Sequence, residues 1–455
     1  MEQINTSRMK FSSTLAVFFA TLSSVVGLGN IWRFPYLTGI GGGGAFILLY
    51  FLFVFLLGLP IMICEMYIGK KTRKNAVGAF KALSYKLPWK YIGVFIVFSS
   101  FLATSFYSTV GSWVYLYFFK AMTGKLSNLT PLIAESTFID FISNPLLPTI
   151  WQVLLLVIVS IILISGIQNG IERMTKVLMP VLFILVIFCA VRALMLPNSM
   201  EGVKFLFSFD IKKLTPQIIL TALGLAFMKL SLGTGSMITY GSYYTEDNNI
   251  VRTALEVTFA DSVVSLLAGL SIFPAVFSFG MAPESGRGLL FMTIPLVFSK
   301  MALGNILQIA FFLLAAIATT TAMIALVEVP VAYFIEEHNM SRFKSVILTI
   351  SIVFALGILS TLSVDGIGVL GHVKLLSRSL FDLFEYISSD IIVPLAGLAT
   401  ALFIGYKTKK EDVKFELSNR GMYSISKMVD VFYFIVRYIV PILLFIVFLN
   451  SSGVI

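Results

Sequence analysis

The chain has 455 residues, 58% of them hydrophobic and only 12% charged, with a formal net charge of +10. Soluble domains run about 45–50% apolar and about 25% charged. This chain lacks the polar groups to cover a water-facing surface, so lipid must solvate it, and a soluble enzyme is excluded.

Eleven apolar stretches follow one another at about 11–37, 44–68, 90–120, 150–166, 174–196, 217–241, 253–280, 305–335, 344–362, 379–406 and 430–450. A helix needs roughly 20 mostly apolar residues to cross a hydrocarbon core of about 30 Å. The runs are continuous and do not alternate, which makes them helices and excludes a β-barrel. The reading is an all-α, polytopic membrane protein with one domain over residues 1–455.

The first stretch is interrupted near its middle by Ser23-Ser24-Val25-Val26-Gly27-Leu28-Gly29-Asn30. Lys70, Lys71, Arg73, Lys74, Lys81, Lys86 and Lys90 crowd the loop between the second and third stretches. The sixth carries a second interruption, Ser231-Leu232-Gly233-Thr234-Gly235. Residues 289–303 are apolar but too short to cross, and read as a hairpin dipping toward the core. Lys407, Lys409, Lys410, Lys414, Arg420 and Lys427 crowd the loop before the last stretch.

Both basic loops fall on the side of Arg8 and Lys10, with Lys212 and Lys213 opposed. This positive-inside pattern explains the net charge without nucleic acid. It predicts a multi-pass protein of the inner (cytoplasmic) membrane, its amino terminus cytoplasmic and its carboxyl terminus outside. The first apolar run belongs to a full span, so no cleavable signal peptide is expected. Cys64 and Cys189 lie within spans and are expected to be free thiols. His338 and His372 lie in loops, and no nucleophile-and-base cluster marks an enzyme.

Glycine inside a helix costs about 1 kcal/mol relative to alanine, and small residues also serve plain helix packing in membranes. Two such interruptions five spans apart say more. They predict inverted repeats of five helices (about 11–196 and 217–406) followed by an eleventh (about 430–450), with a binding site at the two unwound segments.

The motifs themselves resemble a known family. Val26-Gly27-Leu28-Gly29-Asn30-Ile31-Trp32-Arg33-Phe34-Pro35 and Gly41-Gly42-Gly43-Gly44-Ala45-Phe46 resemble the first-helix signature of the neurotransmitter:sodium symporters, in their bacterial eleven-helix branch. Ser231 to Gly235 with Ile238-Thr239-Tyr240 resembles the sixth-helix signature, and Tyr107 the third-helix tyrosine. The resemblance implies the leucine-transporter fold and transport of an amino acid, with no cofactor.

It also implies roles. The amides of Leu28 and Gly29 would face a substrate carboxylate, with Tyr107 donating to it. Gly27 stands where monoamine carriers place an aspartate, which favours an amino acid. The pocket would be lined by Val25, Gly27, Ala103, Phe227, Met228, Lys229, Ser231, Thr234, Ala322 and Leu326, with Thr234 where many relatives carry an aromatic lid. Small Thr234 and Ala103 leave room for a large apolar or aromatic side chain. Arg33 and Glu385 would form the outer gate, and Arg8 and Glu336 the inner gate with Tyr243 beside them.

The departures from the family concern sodium. The first-sodium ligands would be the Val25 carbonyl, Asn30, a sixth-helix threonine and a seventh-helix asparagine. Here the last two are Lys229 and Asp261. A lysine near the midplane is costly and calls for a partner, and two cations about 3–4 Å apart repel strongly. The expectation is that the Lys229 ammonium takes the first sodium's place, pairs with Asp261 and Asn30, and lies within reach of the substrate carboxylate. The second cage would use carbonyls of Ser23, Val26 and Ala318 and the hydroxyl of Thr321, but its neighbouring serine is Ala322; a two-residue shift would restore Thr319-Thr320. Sodium binding is expected to be reduced or lost.

The leading function is alternating-access transport of a hydrophobic or aromatic amino acid, the partners being that small molecule and the bilayer. A carrier using only the second sodium site, proton coupling through Lys229, and an amino-acid sensor without transport stay open, as does the oligomeric state.

Overall fold

The computed structural model of the protein describes residues 9–84, 89–280, 288–364, 368–422 and 426–454. Among them there are helices, turns and one isolated bridge, and no strand. Among the described residues, nine helices are long and apolar enough to cross a membrane: Gly44–Thr72, Lys90–Met122, Leu147–Ile164, Ile167–Leu194, Ile250–Ser278, Gly304–Glu337, Arg342–Thr361, Leu380–Tyr406 and Lys427–Ser451. A tenth span is broken, Thr14–Val25 and Gly29–Ile40, bent by 54°. Pro216–Met228 and Ser236–Gly241 form the other broken span. In chain order these are spans 1 to 11, with spans 1 and 6 broken as their glycine-rich segments predict.

The breaks have local causes. Helix Thr14–Val25 ends at Val26, whose backbone is extended (φ −74°, ψ 108°). In span 6, Ser231, Gly233 and Gly235 take φ of 54°, 73° and 84°. A Cβ on Gly233 would lie 2.3 Å from the Val393 carbonyl oxygen, so only glycine permits both the left-handed turn and this approach to span 10. Side-chain caps start the next elements: Thr215 accepts from the Ile218 amide, Asn249 from that of Arg252, and Ser379 from that of Asp382.

Span 1 packs on spans 5, 7 and 8, span 3 lies along span 8, and helix Ser236–Gly241 packs on span 2, so both breaks sit inside the bundle. A buried polar network joins spans 3, 4 and 9: the Gln152 amide donates to Ser108 (2.7 Å) and accepts from Thr361 (3.1 Å), whose hydroxyl meets that of Thr109 (2.9 Å). Cys64 and Cys189 are free and buried. Residues 289–303 do not form a hairpin. Leu289–Thr293 and Ile294–Ser299 run on as one short buried helix. Aromatic packing decides this, because Phe291 stacks on Phe138 (centroids 5.3 Å, 2°) and meets Trp113 edge-on.

Candidate substrate-binding site

A cavity of about 390 Å³ opens where the two breaks face each other. Val25, Gly27, Leu28, Gly29, Ala103, Tyr107, Met228, Lys229, Ser231, Thr234, Ala322 and Leu326 all border it. Phe227 does not. It is fully buried, and its ring packs against Gly397 of span 10. Consecutive helical residues point about 100° apart, so with Met228 turned to the cavity Phe227 must turn away. Trp32, Tyr36, Phe106 and Phe381 complete an aromatic wall that sequence reasoning missed.

The broken segments are cross-linked by polar contacts. The Leu28 amide donates to the Tyr107 hydroxyl oxygen (3.2 Å), which leaves that hydroxyl's proton for another acceptor. The Gly27 amide donates to Asn30 Oδ1 (3.1 Å), and the Ser231 hydroxyl donates to the Ser24 carbonyl (2.7 Å), tying one break to the other. Glu65 of span 2, another residue the sequence reading left out, accepts from the Gly233 amide at 2.7 Å. Its signal was a lone carboxylate inside an apolar run.

Lys229 and Asp261 form an ion pair in which both side chains are 0% exposed. The other Asp261 carboxylate oxygen accepts from Asn30 Nδ2 at 2.7 Å, and Asn30 also donates to Ser265 (3.1 Å). The ammonium lies 5.5 Å from the centre of the Tyr50 ring. Lys229 is thus brought together with Asp261 and Asn30, beside the Asn30-to-Gly27 bond that holds the first break. Because its side chain is fully covered, the cavity meets residue 229 along its backbone, and the ammonium faces Asp261 and Tyr50 instead of the cavity.

Residues 8–131 and 143–454 match the family model described as the sodium:neurotransmitter symporter family. The chain belongs to this family. Among curated relatives it is 37% identical to an uncharacterized sodium-dependent transporter, YhdH, of Bacillus subtilis over 98% of each chain. A sodium-dependent transporter of Haemophilus influenzae is 35% identical over 98% of this chain and 99% of its own. Among solved structures, the crystal structure of MhsT in complex with L-phenylalanine superposes with a TM-score of 0.89 at 40% identity, covering 98% of this chain and 100% of that one. The fold is therefore the leucine-transporter fold, with its five-plus-five inverted repeat and a further helix, and the chain is a multi-pass membrane transporter.

The residues expected at a second cage and at the gates fall in separate parts of the bundle. The Thr321 hydroxyl donates to the Ile317 and Ala318 carbonyls (3.0 and 3.2 Å), and the Ser23 hydroxyl to that of Ala20 (2.7 Å). A Cβ on Gly27 would lie 3.4 Å from the Ala322 methyl, so residue 322 faces the first break with no oxygen. Thr320 turns to span 3, where it meets the Tyr115 hydroxyl at 2.7 Å, and the Thr319 methyl faces Gly111 of the same span. Val26 is buried at the end of the first half-helix.

Of the pair expected at the outer gate, Arg33 Nη1 lies 3.8 Å from Glu385 Oε1, with side chains 42% and 28% exposed. Of the pair expected at the inner gate, Arg8 lies outside the described residues. Glu336 accepts from the Asn75 backbone amide (2.7 Å) and side-chain amide (3.0 Å). Tyr243 donates to Glu328 at 2.7 Å. Glu328 lies eight residues before Glu336 on span 8, deeper in the bundle, where it also takes both Arg342 Nη atoms (3.0 and 2.8 Å). The bidentate guanidinium draws the carboxylate and the tyrosine together. The chain before span 1 is fastened to the same region: the Phe11 amide donates to the Tyr243 carbonyl (3.1 Å), and the Ser12 amide to Glu172 (2.9 Å).

Proposed function

We propose that this chain is a secondary transporter that moves a hydrophobic or aromatic amino acid across a bacterial inner membrane by alternating access, with Lys229 in place of the first sodium ion. The observation that carries this reading is the buried cluster of Lys229, Asp261 and Asn30 beside the first break. A fixed ammonium supplies the positive charge that Asp261 needs, and its neighbourhood has no room for a second cation. The substrate carboxylate would take the amides of Leu28 and Gly29 and the hydroxyl proton of Tyr107. The side chain would lie among Ala103, Phe106, Met228, Thr234, Phe381 and Leu326, in a volume suited to an aromatic ring. The MhsT complex with L-phenylalanine supports this substrate class.

In this reading the second cage, Ser23, Val26, Ala318 and Thr321, lacks the oxygen that Ala322 does not supply, and sodium coupling is reduced or lost. The amino terminus is cytoplasmic, the carboxyl terminus is outside, and no organic cofactor takes part. One rival is favoured by a specific observation: Thr321 keeps its hydroxyl, and the relatives are named sodium-dependent. In that rival a single sodium at the second cage drives uptake.

Uptake of radiolabelled L-phenylalanine into proteoliposomes, with sodium replaced by potassium on both sides, separates the two. Undiminished uptake supports the fixed lysine as the working cation. Strict sodium dependence of the unmodified protein would sink it, and absence of uptake in either salt would sink the substrate assignment.

A further inference from the structure

Span 10 carries a charged residue that neither the pocket nor the Arg33–Glu385 contact uses. Residues Tyr386–Ile392 form a π-helical turn, closed by the Val393 amide on the Ser388 carbonyl five residues earlier. In an α-helix, five residues turn the side chain about 140° away from its starting direction. In a turn closed by i→i+5 bonds, the fifth residue returns to within about 50° of the first. The π-turn therefore brings Asp390 round to the side of Glu385, next to Ser389, which borders the cavity.

Asp390 is half-buried, and no hydrogen bond or ion pair holds it among the described residues. The charged groups that face it are Arg33, Glu385 and Arg378. Arg378 is occupied on the Tyr386 ring, its guanidinium carbon 3.9 Å from the ring centre. Arg33 is the freer partner: its side chain is 42% exposed, and its 3.8 Å approach to Glu385 is longer than a hydrogen bond. Ser99 of span 3 donates to the Ser388 carbonyl (3.3 Å) and so anchors the turn, whereas Arg33 rides on span 1 beyond its break.

We propose that Asp390 is a second outer-gate carboxylate, the station to which Arg33 passes from Glu385 as the outer vestibule closes. A cation on the moving segment then has two acidic stations on an anchored one. It slides between them without being left unpaired in a narrowing, less polar space, where an isolated charge is costly.

The test reads the gate and needs no substrate. Val110 borders the cavity, and the native Cys64 and Cys189 are buried, so Val110→Cys gives a single reactive thiol whose alkylation rate reports vestibule opening. In this background Glu385→Gln and Asp390→Asn are each expected to raise the rate about threefold, and together by about thirtyfold or more, beyond the product of the singles. Asp390→Glu keeps the charge and should stay within about twofold of the parent. Arg33→Asp should hold the vestibule open, and adding Asp390→Arg should restore slow alkylation, which a merely structural role for Asp390 would not do. The proposal is overturned if Asp390→Asn changes nothing in either background, if Asp390→Glu opens the gate as far as Asp390→Asn, or if the charge exchange gives no recovery. A misfolded variant is recognised by reaction of Cys64 and Cys189, and the Asp390→Glu result then decides.

Discussion

Replacing Lys229 by methionine tests the fixed-cation reading most directly. Methionine has nearly the same length, so the packing around Tyr50 and Gly29 is kept and the change is one of charge. The Asp261 carboxylate would keep its Asn30 hydrogen bond at 2.7 Å but lose its counter-ion in a place where neither side chain meets solvent. Breaking one side of such a pair costs roughly 3–5 kcal/mol, because the other charge is left buried and uncompensated. Asp261→Asn should cost less. The stranded ammonium still faces the Tyr50 ring 5.5 Å away, and a desolvated cation–π contact is worth about 2 kcal/mol.

The double variant Lys229→Met/Asp261→Asn removes both charges and should return to within about 2 kcal/mol of the parent. Equilibrium unfolding in mixed detergent micelles would measure all four corners of this cycle. A coupling energy near zero, with the double variant as damaged as the sum of the singles, would refute the argument. A fourth variant, Lys229→Thr, offers a hydroxyl beside Asn30 and Asp261 and should gain sodium-dependent stability, by about 2.7 kcal/mol at a hundredfold excess over Kd. Equal stability of that variant in sodium and potassium would also count against the lysine standing where a sodium ion fits.

Other changes probe the breaks and the inner side. Gly27→Asp places a Cβ 3.2 Å from the Tyr107 hydroxyl and 3.4 Å from the Ala322 methyl, with a carboxylate where the substrate's own would lie. L-phenylalanine binding should weaken by about a hundredfold, roughly 2.7 kcal/mol, and unchanged affinity in a radioligand assay would count against the assigned carboxylate position. Gly233→Ala combines a φ of 73° with a Cβ 2.3 Å from the Val393 carbonyl, so folded yield should fall steeply, checked by gel filtration. Glu328→Gln removes the charge that holds Arg342 and Tyr243, costs about 1.5–3 kcal/mol, and should speed labelling of a cysteine introduced beside this cluster, at the Glu336 end of span 8. Unaltered labelling would show that this cluster does not hold that end of the bundle closed.

The broken spans and the lysine were legible in the sequence because each violates a strong rule of membrane helices. Glycine clusters interrupt an apolar run, and a charge at mid-depth stands out against it. Phe227 was misplaced for the opposite reason. It and Met228 are both apolar and both covered, Phe227 by span 10 and Met228 at the cavity, so periodicity does not say which one lines the site. The same uniformity hid Trp32, Tyr36, Phe106 and Phe381, which only the packing of spans 1, 3 and 10 brings to one wall. Glu65 and Glu328 went unread, although each is a carboxylate inside an apolar run. Their partners, Gly233 at a distance of 168 residues and Arg342 across a helix boundary, belong to tertiary structure. Asp390 needed the π-turn, because an α-helical register points it away from Glu385.

The polar side chains around the breaks explain how unwound backbone survives in the middle of a membrane. An unpaired amide or carbonyl there costs several kcal/mol. In this protein the Gly27 amide goes to Asn30, the Leu28 amide to Tyr107, the Gly233 amide to Glu65, and the Ser24 carbonyl takes the Ser231 hydroxyl. Asn30 is held in turn by Asp261, and Asp261 by Lys229. Of these contacts, the Leu28–Tyr107 bond (3.2 Å) is the one whose two members both border the cavity. An arriving carboxylate would therefore exchange one weak internal bond for two stronger, charge-assisted ones and leave the rest of the frame intact. The ion pair at the end of the chain of contacts stabilises that frame with or without a substrate. Under the proposed reading, this separates the charge that holds the break together from the ligand that crosses the membrane, whereas a bound sodium ion would have joined them.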